Sequence, residues 1–211
     1  MNRTDSNILK LTNYIFTHMN NFDEVTQRTP YFHMGATITD AVLQAGLNYK
    51  NVVYPRVAKL LTKFGEYRTT CDFIILFKTI PLNELIDWNN EQKLNRIIDL
   101  SWFLFNKKIE NENQLSVWLD DKENVLILSE IKGIGPKTID YLRMLSGKQA
   151  IPIDRHLFKF LELAGVFVKT YEEANAIYCK AAERLNIQQY ELDKKIWLYM
   201  TNGKYNGGLN C

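Results

Sequence analysis

Residues 128–138, LSEIKGIGPKT, constrain the fold more than any other stretch of the chain. Just upstream, Val125, Leu126, Leu128 and Ile131 are compatible with a short amphipathic helix over 124–131. Gly133 and Gly135 then flank Ile134. Two glycines around one apolar residue permit positive φ values that a side chain resists. Pro136 suits the first position of a new helix, where its fixed φ fits and its missing N–H costs little. Ile139, Leu142 and Leu145 continue at helical spacing, and Gly147 is a stop signal. The segment 123–147 therefore reads as helix, tight hairpin, helix, with Ile134 docked inward at the tip.

A helix beginning at about Gly135 points free backbone N–H groups outward, and its positive dipole end makes it an anion site for which phosphate is the natural guest. An ordinary glycine-containing helix–helix turn would have the same local pattern. Lys137 falls at about the second helical position, where a cation opposes the macrodipole. The same potential disfavours protonation, which makes Lys137 a candidate Schiff-base nucleophile. The other reading is a solvated lysine in contact with phosphate or with nothing. Asp154 precedes a stretch in which Leu157, Phe160, Leu161 and Ala164 share one helical face, so it reads first as an N-cap. Ile153 and Phe158 have the spacing of a hydrophobic staple. A cap would fix the direction of the carboxylate, so capping and chemistry are compatible there.

Taken together, IKGIGPKT (131–138) and IPIDRH (151–156) resemble the endonuclease III superfamily, the helix-hairpin-helix DNA glycosylases in which a Gly/Pro-rich loop is followed by an aspartate. The resemblance implies an all-α, two-lobed fold whose hairpin grips DNA. It implies that Asp154 is catalytic and that Lys137 stands where bifunctional members carry their lysine. The implied activity is base-excision repair of a duplex bearing a damaged base or an abasic site, with base removal through a lysine Schiff base and strand cleavage by β-elimination. Lys132, Gly133, Ile134, Gly135, Thr138, Arg155 and His156 are the matching DNA-contact positions, His156 reading equally well as a helix-start residue. The implied organisation is one glycosylase unit over 1–211, with a helical-bundle lobe at about 35–135 and a second lobe from 1–34 with 148–211. A monomer is expected. Two alternatives remain: a monofunctional glycosylase whose Lys137 only contacts DNA, and a non-enzymatic clamp built on the hairpin. A clamp needs the glycines but not an aspartate after Ile-Pro-Ile, which favours an enzyme.

The chain also departs from the family. Its three cysteines, Cys71, Cys179 and Cys211, are scattered and have no metal-ligand spacing. Many relatives carry a four-cysteine iron–sulfur loop near the C-terminus. Here the tail NGKYNGGLNC (202–211) lacks the thiolates for one. No metal or cofactor is expected, though the family leaves room for a monovalent cation at the hairpin. The Ser-x-Gln stretch that endonuclease III uses to fill the gap left by a flipped base has its nearest match in QAGLNY (44–49), with a glycine where the glutamine would fall. The usual plug is missing or supplied from elsewhere, which puts the family's preference for oxidised pyrimidines in doubt for this chain.

The rest of the chain is helical in pattern. Helices are predicted over 8–19, 37–47, 54–64, 70–79, 114–120 and 190–200, with a polar, proline-bearing stretch running to about Tyr31. Leu94, Ile97, Ile98, Ser101 and Phe105 mark a longer helix, and TYEE (170–173) is a capping-box pattern before another. Net charge is only +2, but residues 132–159 hold six Lys/Arg against two Asp, a basic stripe centred on the hairpin. A solvated helix face would give the same excess. No segment has the length and hydropathy of a membrane span, so an intracellular protein is expected, cytoplasmic or nucleoid-associated if prokaryotic. Tyr31, Phe32, Tyr49, Trp102 and Trp197 are aromatics able to stack on a base, and none is assigned.

Overall fold

The computed structural model describes residues 3–19 and 29–201. Among them the secondary structure is all helical, without a strand. In chain order the helices are α1 (Arg3–His18), α2 (Met34–Gln44), a π-helical turn over Tyr49–Val53, α3 (Tyr54–Lys63), α4 (Thr70–Thr79) and α5 (Leu82–Leu85). They continue with α6 (Glu91–Asn106), α7 (Glu112–Trp118), α8 (Lys122–Ser129), α9 (Pro136–Leu145), α10 (Arg155–Leu163), α11 (Tyr171–Leu185) and α12 (Gln189–Thr201). No described helix is long and apolar enough to cross a membrane. The chain divides into a central unit, Arg28–Lys148, and a terminal unit made of Met1–Gln27 with Gln149–Cys211.

The central unit is assembled around α2. Every residue from Met34 to Leu43 is buried, because α3, α4, α6 and α9 all pack on this helix. A Cβ on Gly35 would collide with the Phe73 ring, so the glycine lets α4 approach closely. Helix α2 starts three residues earlier than the apolar pattern predicts, because His33 is an unexpected cap: its Nδ1 accepts from the Ala36 amide at 3.2 Å. The imidazole Nε2 donates to the Phe64 carbonyl at 3.1 Å, which selects the neutral tautomer. Burial holds the His33 pKa below its ordinary value. Buried Glu112 accepts from the His33 amide (2.8 Å) and the Thr37 hydroxyl (2.7 Å), joining the start of α7 to α2.

The terminal unit brings both ends of the sequence together. Helix α1 packs on α11, and α12 packs on α10 and α11. Leu11, Ile15, Leu157, Phe160, Tyr178 and Ile196 form the centre of its core. TYEE does cap α11 through Thr170, which accepts from the Glu173 amide at 3.1 Å. The Glu173 carboxylate, however, accepts from the Lys169 amide rather than closing a reciprocal box. The reciprocal box is instead at α4, between Thr69 and Asp72. The polar segment 20–28 and the tail with Cys211 lie outside the described residues. Cys71 and Cys179 are half-buried.

Candidate functional site

The hairpin is built as its residues predict at three points. Gly133 adopts φ +88°, the left-handed region that a side chain resists. Ile134 is 2% exposed and sits in the central core. Pro136 opens α9, which puts Lys137 at the second helical position. Helix α9 ends in a Schellman turn: the Lys148 amide bonds the Arg143 carbonyl at 2.9 Å, with Gly147 at φ +88°. Gly135 differs from expectation, being extended (φ −103°, ψ −176°), so its backbone does not demand glycine. A Cβ there would meet nothing within 4 Å, so the approach to the start of α9 is open at this residue. Lys132 is exposed at the hairpin. Thr138 is 3% exposed, so little of its side chain reaches the surface. Its amide, like that of Lys137, belongs to the first helical turn, whose N–H groups lack helical partners.

Lys137 extends over Tyr141, one turn further on, with Nζ 5.7 Å from the ring centroid. Two cations from α6 belong to the same neighbourhood, and both were missed in the sequence. The Arg96 guanidinium lies against Gly133 so closely that a Cβ on that glycine would overlap it. Lys93 Nζ donates to the carbonyls of Val42 (2.7 Å) and Ala45 (2.8 Å) at the end of α2. Burial first, then the charges of Arg96 and Lys137, pull the Lys93 pKa down to about 8. The basic stripe of 132–159 is correspondingly less basic than its count. Arg143 pairs with Asp140 at 2.9 Å, Lys148 with Asp120 at 2.6 Å and Lys159 with Glu162 at 2.9 Å.

In the terminal unit, Asp154 is the N-cap of α10. Its Oδ1 accepts from the amides of His156 (2.8 Å) and Leu157 (3.0 Å). Among the described residues Oδ2 has no hydrogen-bond donor. One face of α11 holds this segment in place, through three residues at spacings of four and three. The Ile153 amide donates to Tyr171 Oη at 3.1 Å, Asn175 Nδ2 donates to the Ile151 carbonyl at 3.2 Å, and Tyr178 Oη donates to the Leu157 carbonyl at 2.7 Å. Tyr178 is fully buried. Burial foremost, then the charges of Asp193 and Asp154, raises its pKa well above the ordinary tyrosine value. Arg155 is exposed and His156 half-buried at the start of α10. Lys137 and Asp154 thus belong to different units.

Among solved structures, the chain is similar in fold to the 3-methyladenine DNA glycosylase of H. pylori bound to 1,N6-ethenoadenine. The TM-score is 0.61 at 17% identity, over 93% of this chain and 97% of that one. The likeness is one of fold: an all-helical, glycosylase-like arrangement. The endonuclease III branch in particular is not what this likeness selects. Residues 106–201 match a family described as Domain of unknown function (DUF8548), a span that contains both the hairpin and Asp154. No protein of curated function matches the sequence.

The remaining positions singled out in the sequence lie as follows. Tyr31 Oη donates to Asp40 at 2.6 Å and is 3.3 Å from Tyr49 Oη, so these two aromatics are brought together. Phe32 is exposed, Trp102 lies under Lys78, and Trp197 belongs to the terminal unit. In the stretch that aligned with the plug, Gln44 bonds back to Asp40 within α2, and Asn48 caps the π-helical turn. Among the described residues no three His, Cys, Asp or Glu side chains gather as metal ligands.

Proposed function

We propose that the protein is a base-excision repair enzyme, a DNA glycosylase that removes a damaged base and cleaves the strand through Lys137. The observation that carries this reading is the placement of Lys137 at the second position of α9, directly behind the glycine hairpin. The glycosylase fold supports it. A base inside a duplex is out of reach, so the nucleotide must leave the stack. The hairpin amides would hold a backbone phosphate and set the register without reading sequence. The neutral amine of Lys137 attacks the anomeric carbon. The new C–N bond forms as the glycosidic bond breaks, and the base leaves with the bonding pair and takes up a proton. Ring opening gives a Schiff base, and loss of a proton from the adjacent carbon expels the 3′ phosphate. The Asp154 carboxylate stabilises positive charge developing on the sugar. The H. pylori protein of similar fold was solved with a modified adenine. Duplexes carrying 3-methyladenine and 1,N6-ethenoadenine therefore come first among the lesions to try.

Borohydride trapping on a duplex with one abasic site tests the lyase step. The wild type is expected to form a covalent adduct, and Lys137→Gln to form none while still binding DNA. Base release without any adduct would favour the monofunctional reading, in which Lys137 is a phosphate contact. The cations beside it are the observation in favour of that alternative. Salt-sensitive binding with no turnover on any lesion would leave the hairpin as a clamp.

A further inference from the structure

We propose that Arg96 of α6 is a phosphate ligand of the hairpin, its guanidinium taking a DNA backbone oxygen pair beside the amides at the start of α9. This deepens the proposed function and rests on DNA being the partner. The hairpin lies between α8 and α9. Its geometry says that a third element takes part.

Gly133 carries two separate constraints. Its φ of +88° already disfavours a side chain, and the guanidinium of Arg96 occupies the volume where a Cβ would stand. The arginine is therefore an integral part of the hairpin surface, seated on its backbone. Among the described residues Arg96 has neither a hydrogen-bond acceptor nor a carboxylate partner, although it is half-buried. A guanidinium carries five N–H donors, and none of those on Arg96 is both buried and unpartnered, so solvent reaches them and a guest can take its place. The charges acting on the neighbouring Lys93 are Arg96 and Lys137, both positive. Three cations from two helices thus share one locality. Lys93 is committed to two carbonyls, whereas Arg96 keeps its fork unused.

Repulsion of this kind is relieved by an anion of high charge density. A planar fork matches two oxygens of a phosphate, and a single lysine does not. The opening in front of Gly135, where a Cβ would touch nothing, leaves room for the guest. Sequence-independent DNA contacts of this type add to the salt dependence of binding, at about 0.9 in the slope of log K against log salt for each phosphate neutralised.

The test is fluorescence anisotropy on an undamaged duplex at a series of salt concentrations, for the wild type, Arg96→Gln and Arg96→Lys, with melting curves to verify the fold. Arg96→Gln is expected to bind more weakly and to lower the slope by about 0.9. Arg96→Lys is expected to keep the slope and still bind more weakly, because charge remains and the fork is lost. The lysine variant also serves if the glutamine variant does not fold. Wild-type affinity and slope in folded variants would overturn the proposal while leaving the glycosylase reading intact. An Arg96-dependent slope without base release from any lesion would do the reverse. Absence of DNA binding by the wild type would overturn both.

Discussion

At Asp154 one carboxylate oxygen is taken by two amides of α10, and the other is the one that the proposed chemistry would use. The two functions separate in Asp154→Asn. Asparagine caps about as well as aspartate, and only the charge at the helix start is lost, worth about 0.3–1 kcal/mol. The variant is expected to melt within about 1 kcal/mol of the wild type and to lose base release by about a hundredfold or more. Melting curves and single-turnover release on one lesion duplex measure the two effects, and unfolding would make the cap the dominant role. At this scale the sequence was informative where a local rule applies. Gly133, Pro136, Lys137 and Asp154 each sit where helix capping or glycine geometry puts them. Arg96 and Lys93 were illegible because nothing within their own helix marks them. Their meaning comes from Gly133 and Val42, about forty and fifty positions away, and only the packed unit brings these together. Charge counted along the chain erred in the other direction, since it credits Arg143, Lys148 and Lys159 with a freedom that neighbouring carboxylates remove.

Among the elements, α2 takes its start from a single side chain. His33 caps it through an unprotonated Nδ1, and burial keeps the folded pKa below 6.5. The unfolded chain therefore binds the proton more readily. The stabilisation is complete above about pH 6.5 and is lost as pH falls through the lowered folded value. His33→Asn keeps a capping oxygen and does not titrate in this range. The unfolding free energies of the wild type and this variant should differ by a constant above pH 6.5, with the wild type losing ground below it. Denaturant titrations from pH 7.5 to 5 would show this, and a flat difference would remove His33 as the sensor. The start of α2 was misread because histidine is not among the usual capping residues, so the boundary followed the apolar pattern instead. The ends of α9 and α10 were readable, since Gly147 and Asp154 are strong boundary residues.

Over the whole molecule, the terminal unit is stitched from distant parts of the chain. Leu11 on α1 is completely buried against a core contributed by α10, α11 and α12. Leu11→Ala should destabilise that unit by about 2–5 kcal/mol. Hydrogen exchange should report the loss in α11 and α12, more than 150 residues from the substitution. Undiminished protection there would deny α1 its structural role. The helical class was legible in the sequence because apolar spacing repeats through nearly every segment. The π-helical turn and α5 were not, since five and four residues are too short to establish a period.

The Schellman turn at Gly147 has a consequence for biosynthesis. A Cβ at Gly147 would lie 3.5 Å from Pro30, so the central unit begins and ends at one place. A continuous segment with adjoining ends can fold as soon as it has left the ribosome. The terminal unit cannot, because its first helix must wait for α10, α11 and α12 to be synthesised. During that interval the apolar face of α1, with Leu11 and Ile15, has no partner within its own unit. The nascent chain is then at its most vulnerable to aggregation, and a chaperone would have its clearest target there.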